Sequence, residues 1–284
     1  MVWYAYTEVF IMRKCIIILL VILLMSVLSV FYRYTVILNE RNEKRVESIP
    51  IDDKVEITEI EALKPDIIEE EVNIKKVICI DPGHQLKADY TEEPIGPNSD
   101  MKKPKVSNGT IGIVTKKPEY ELNLEVSLKL KDRLEAEGFV VILTRETHDV
   151  NISNSERAKI ANLSGADIFV RIHANQRNSP DYNGISVLCP SQENEYTSTI
   201  YDESNALAHV MLDALILETV ATDMGISYRD DISGFNWSEV PVILIELGFM
   251  SNPKEDERMN TERYQNKLVT GMINGILEYF SEKN

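Results

Sequence analysis

Val-Ile-Cys-Ile-Asp-Pro-Gly-His-Gln, residues 77–85, decides how the rest of the chain is read. Four apolar residues, of which Val77, Ile78 and Ile80 are β-branched, are closed by Asp-Pro-Gly; this is the pattern of a buried strand that stops abruptly and presents His84 just beyond its carboxyl end. In open α/β sheets ligands bind in the crevice outside those ends, where loops converge on a rigid sheet. Two later stretches repeat the design. Ile-Phe-Val-Arg-Ile-His-Ala-Asn at 168–175 ends a second apolar strand on His173, and Val-Ile-Leu-Ile-Glu at 242–246 ends a third on Glu246. A buried strand gains nothing from ending on an imidazole or a carboxylate unless that group meets a partner at the sheet's edge.

Outward from these strands, residues 86–118 are rich in Gly, Pro, Asn and Lys without a sustained period, and read as a long loop leaving directly from His84. Residues 119–137 set two rules against each other. Tyr120, Leu122, Leu124, Val126, Leu128 and Leu130 alternate as in a strand, yet the segment is long and only Val126 is β-branched. Leu, Glu and Lys favour a helix, with Pro118 suited to its start and Gly138 to its end. Residues 139–143 read as a further strand. Ser153-x-x-Glu156 is a capping box that opens a short helix ending near Gly165. A short edge strand at 185–188 and a helix at 204–219 follow, and a last helix at 262–280 carries Tyr264, Leu268, Met272, Ile276 and Phe280 along one stripe. Strands alternating with helices predict an α/β fold, a mainly parallel twisted sheet with helices on both faces.

The 284 residues suffice for one domain of about 200 residues plus appendages. The formal charge of −16 argues against nucleic acid as a partner, because phosphate binding relies on Lys and Arg. Residues 15–32 carry no charge and consist mostly of Ile, Leu, Val and Met, behind Arg13 and Lys14. Such a run is long enough to span a bilayer, and with no convincing cleavage site after it an uncleaved anchor is favoured over a removed signal. Three parts are therefore expected: 1–34 as membrane anchor or signal, 35–75 as an acidic linker, and 76–284 as the folded domain, whose function the strand-end residues decide. The three cysteines have neither metal nor disulfide-framework spacing; Cys79 and Cys189 are expected as free buried thiols rather than a bridge.

Catalytic zinc takes three protein ligands and keeps a position open. His84 and His173, at equivalent strand ends, fit two of them. Position alone leaves the carboxylate open among Glu119, Glu121 and Asp81; Asp81 could instead orient His84, and both glutamates would favour a helix N-terminus anyway. Glu246 lies in apolar sequence, where desolvation raises a carboxyl toward the range of a general acid/base; its structural alternative is a buried ion pair with a residue such as Arg145. His148 and His209 sit in unremarkable surroundings.

Ile-Asp-Pro-Gly-His-Gln, Lys-Pro-Glu-Tyr-Glu-Leu-Asn-Leu, Leu-Thr-Arg, Arg-Ile-His-Ala-Asn and Val-Ile-Leu-Ile-Glu-Leu-Gly-Phe-Met-Ser-Asn, in that order, resemble the zinc-dependent N-acetylmuramoyl-L-alanine amidase family of bacterial cell-wall hydrolases over 76–284. The resemblance implies that Zn²⁺ is held by His84, Glu119 and His173, with Glu246 as the catalytic acid/base. It selects Glu119 over Glu121 because the family's Glu lies five residues before the Leu matching Leu124. The substrate implied is peptidoglycan, at the amide between N-acetylmuramic acid and L-Ala. That substrate places the domain outside the cell, tethered by a single membrane pass, or secreted if the N-terminal segment is cleaved. Gln85, Leu86 and Arg171 depart from the commonest pattern, and the expectation is that they alter the cleft lining. A non-catalytic peptidoglycan-binding regulator and a zinc peptidase or deacetylase acting on the same polymer are the alternatives. The oligomeric state has no signal.

Overall fold

The computed structural model describes residues 75–283. Its centre is β1 (Val77–Pro82), an interior strand paired in parallel with β4 (Val140–Leu143) on one side and β5 (Ile168–Asn175) on the other. β5 pairs in parallel with β8 (Val242–Phe249), and the six-stranded sheet runs β4-β1-β5-β8-β6-β7. β6 (Ile185–Pro190) is antiparallel to β8 and parallel to β7 (Asp223–Arg229). The mainly parallel sheet is thus present, with one reversal near its far edge. Alternation along β1 shows why the strand has to be apolar throughout: Ile78 and Ile80 enter one core and Cys79 the other.

On the Ile78 face lie α1 (Glu119–Ala136), α3 (Tyr201–Thr219) and α6 (Glu262–Ser281). On the Cys79 face lie α2 (Asn154–Leu163) and the short α4 (Ser233–Asn236). A further short helix, α5 (Pro253–Met259), follows β8. In α1 the helical spacing prevails over the strand-like alternation: Leu122, Val126, Leu130 and Leu134 are fully buried, while Leu128 is exposed. The Ser153–Glu156 capping box forms as expected. α6 packs against α3 through Gly271 and Gly275; a β-carbon at Gly275 would stand 2.9 Å from the Cα of Met211, so the glycine lets the two backbones meet.

Three expectations need correction. Residues 86–118 contain an antiparallel hairpin, β2 (Asp89–Pro94) and β3 (Lys102–Val106). Hydrophobic patterning could not reveal it, because its strands are mostly polar, with only Val106 and the adjacent Ile95 buried as apolar residues, and polar bonds do much of the docking. Buried Glu93 accepts from the backbone N and the hydroxyl of Ser155, Lys103 pairs with Asp231 at 2.7 Å, and Trp237 Nε1 donates to the Pro94 carbonyl. β6 is no edge strand, since the half-exposed β7 covers it. Nor do β5 and β8 stop on His173 and Glu246; each runs two or three residues further.

Cys79 and Cys189 are free and buried, as expected. The anchor at 1–34, and the linker at 35–75 apart from its last residue, lie outside the described residues. Among the described residues no helix is long and apolar enough to cross a membrane.

Candidate active site

Three elements bring the predicted groups together. β1 ends at Pro82; after Gly83, His84 takes a left-handed backbone conformation (φ 60°), a strained state for a non-glycine residue, and its ring meets that of His173. Gly83 leaves room for this: a β-carbon there would fall 2.2 Å from Cε1 of His173. The two imidazoles meet edge to face with ring centroids 4.7 Å apart. α1 starts at Glu119, whose Oε1 lies 3.2 Å from His84 Nε2 and 3.1 Å from His173 Nδ1. The candidate ligand atoms of His84, Glu119 and His173 all lie within 4.8 Å of one another.

A shell of hydrogen bonds holds the trio. His84 Nδ1 donates to the Ser107 carbonyl at 2.9 Å, which leaves Nε2 with its lone pair toward the cluster. Glu119 accepts from the backbone N of Ala174 and from Asn123 Nδ2 on Oε1, and from the backbone N of Thr110 on Oε2. Burial acts to raise the Glu119 carboxyl, but His84 and His173 beside it hold it well below its usual range. Burial, opposed by Glu119, pushes His173 down to about 4, so its imidazole is neutral at physiological pH, the state a metal ligand requires. Its buried Nε2 has no partner among the described residues. Two imidazoles and an ionised carboxylate with such spacing form a donor set suited to Zn²⁺.

Glu246 stands beside this cluster, register partner of His173 on β5 and of Ser186 on β6. Burial, with the charge of Glu119 acting in the same direction and Arg177 against it, pushes its carboxyl up to about 8. Its buried Oε2 has no hydrogen-bond partner among the described residues. It lines a cleft of about 440 Å³ that continues across the sheet past Ser186, Leu188 and Ser227. A larger hollow of about 600 Å³, beside Pro180, Asn252 and Lys254, contains none of these groups, so volume alone does not locate the site.

Of the open carboxylates, only Glu119 joins the cluster. Asp81 is buried and bonded to Arg157 at 2.7 Å, Arg171 at 2.8 Å and Thr144, which hold its carboxyl far below its usual range against the opposing effect of burial. It therefore does not touch the His84 ring; Arg157 instead relays its hold to the backbone, donating to the carbonyls of Pro82 and His84. Arg145 does not pair with Glu246: its guanidinium donates to the carbonyls of Pro82, Gly83, Tyr120 and Thr147. Gln85 and Arg171 do not line the cleft either. Gln85 is wholly buried, accepting from Arg157 and Ile152 N, and Arg171 lies between Asp81 and Asn154. Sequence reasoning missed Asn123, Ser107 and Thr110, which act through a polar side chain in a helix and through loop backbone groups that leave no pattern.

The fold and the cluster define an α/β protein with a candidate metal centre, two histidines and two glutamates gathered at the carboxyl side of a mainly parallel sheet. Residues 78–278 match the family model described as N-acetylmuramoyl-L-alanine amidase; the chain belongs to that family and is an amidase of this type. Among its relatives is the germination-specific N-acetylmuramoyl-L-alanine amidase of Bacillus subtilis, 28% identical over 222 residues, covering 73% of this chain and 81% of the relative. The catalytic domain of CwlV from Bacillus (Paenibacillus) polymyxa var. colistinus shares 29% identity with a TM-score of 0.59, covering 72% of this chain and 98% of that one. An N-acetylmuramoyl-L-alanine amidase from Clostridium difficile 630 shares 28% identity with a TM-score of 0.61, covering 74% and 99%.

Proposed function

We propose that the chain is a zinc-dependent hydrolase that cleaves the amide joining the lactyl group of N-acetylmuramic acid to L-alanine in peptidoglycan. His84, Glu119 and His173 are the metal ligands, and Glu246 is the general base and then the general acid. The observation that carries this reading is the adjacency of His173 and Glu246 across the β5–β8 register, with Glu119 and His84 closing on the same imidazole. When bound, zinc supplies Lewis acidity that polarises a carbonyl and makes water a stronger acid. Glu246 takes a proton from the attacking water and delivers it to the leaving nitrogen of L-Ala. A carboxyl held near neutrality can do both at physiological pH. Ser107, Thr110 and Asn123 hold His84 and Glu119 in place before substrate arrives.

An extracellular location, with residues 1–34 as membrane anchor, completes the proposal and rests on the uncharged run at 15–32 together with this substrate. Mass spectrometry of digested muropeptides, with and without a chelator, tests the reaction. Free stem peptides beginning at L-Ala, lost on chelation, are expected. Trimmed peptides or deacetylated sugars would identify a peptidase or deacetylase, and an unchanged polymer would leave only binding.

A further inference from the structure

The cleft beside Glu246 has a charge character that the proposed chemistry does not use. From β8 it crosses β6 to β7, two strand spacings or about 10 Å. That is the length of about three extended residues. Two guanidinium groups line it, Arg177 just past β5 and Arg229 at the end of β7. Arg229 is held by Asp231, its Nη2 at 2.7 Å, but Asp231 also pairs with Lys103 at 2.7 Å, so on that rim two cations share one anion. Arg177 makes no ion pair within 4 Å among the described residues, though its charge acts on Glu246; its guanidinium lies 5.9 Å from the Tyr182 ring centroid, and its backbone N donates to Ser251 Oγ. In a chain with a formal charge of −16, this cleft carries a local excess of positive charge next to the proposed catalytic carboxyl.

The substrate's chemistry says which part of it such a groove fits. In the intact muropeptide the lactyl carboxyl is consumed in the scissile amide, so the remaining carboxylates lie on the peptide side. The first belongs to the acidic residue that follows L-Ala. Resting on the reading above, we propose that Arg177, backed by Arg229, binds this stem-peptide α-carboxylate, so that the peptide runs from the scissile bond across β6 toward β7. Arg177 is thereby a specificity residue that distinguishes a free α-carboxylate from its amide. A guanidinium suits this task through its planar, two-pronged donor geometry.

The test uses the full-length, zinc-loaded chain and two synthetic muropeptides that differ only in whether the α-carboxylate of the D-glutamyl residue is free or amidated. The wild type is expected to favour the free acid in kcat/KM by about tenfold or more, mainly through KM, the scale of one hydrogen bond to a charged group. Arg177→Ala abolishes the preference and Arg177→Lys keeps part of it. If Arg177→Ala is inactive on both substrates, Arg177→Lys decides, since its preference must fall below that of the wild type. Equal kcat/KM for the two substrates in the wild type, or a preference that survives both substitutions, overturns the proposal while the amidase reading stands. Release of no stem peptide from either substrate by the wild type sinks the amidase reading, and this one with it.

Discussion

Glu246 and His173 face each other across one register step and are displaced in opposite senses by the same cause. Burial disfavours the charged form, so the carboxyl rises to about 8 and the imidazole falls to about 4. The two contribute oppositely to stability. His173, depressed below its ordinary value near 6.5, adds stability that is present above that pH and is lost as pH falls toward 4. Glu246, raised from 4.5, adds stability that is present at low pH and is lost as pH rises toward 8. Between pH 6.5 and 8 only the second effect operates within this pair. Urea unfolding of the metal-free chain should therefore show wild type losing stability across that window relative to Glu246→Gln; parallel profiles would contradict the assignment. In catalysis, Glu246→Gln should keep its zinc by elemental analysis and lose about 10²–10⁴-fold in kcat, the usual worth of a general acid/base. His84→Ala and His173→Ala should lose both metal and activity.

Among elements, the joint between α3 and α6 and the clamp on β1 are the most sensitive points. Gly275→Ala gains helix propensity of up to about 1 kcal/mol. It also drives a methyl into the backbone at Met211, and overpacking costs about 1–3 kcal/mol, so the net expectation is a loss read as a lower urea midpoint. Asp81 ties β1 to α2 and β5 through Arg157 and Arg171, all three nearly free of solvent contact. Asp81→Ala leaves two buried guanidinium groups without their anion and should cost about 3–5 kcal/mol in chemical denaturation. Sequence patterning recovered β1, β5 and β8 from β-branched runs and α6 from its apolar stripe, whereas α1 follows from its length, helix-forming composition and Pro118/Gly138 boundaries against its strand-like alternation, and α2 from its capping box. β7, carrying Gly225 and half exposed, and the β2–β3 hairpin escaped because polar groups and neighbouring backbone hold them, and periodicity records only apolar burial. In the site, His84, His173 and Glu246 stood out as polar residues closing apolar strands. Glu119 did not, since its place depends on how a helix start meets two strand ends far away in sequence.

For the molecule as a whole, a ligand that binds only the folded state adds RT ln(1 + [L]/Kd), about 4 kcal/mol at a thousandfold excess over Kd. A chelator should therefore lower the melting temperature of the wild-type chain and leave a His84→Ala, His173→Ala double variant unmoved. An equal shift in both would place the metal elsewhere. The β2–β3 hairpin is docked by polar bonds of Glu93, Lys103 and Trp237 with only Val106 and Ile95 as buried apolar side chains, so local opening of the hairpin is expected at lower cost than opening of the central sheet. Ser107, whose carbonyl orients His84, follows β3 directly. Amide protons of β2 and β3 should exchange faster than those of β1, and faster still in concentrated salt, which weakens the Lys103–Asp231 pair. The orientation of one imidazole is in this way tied, through Ser107, to a segment whose docking contacts include an exposed ion pair.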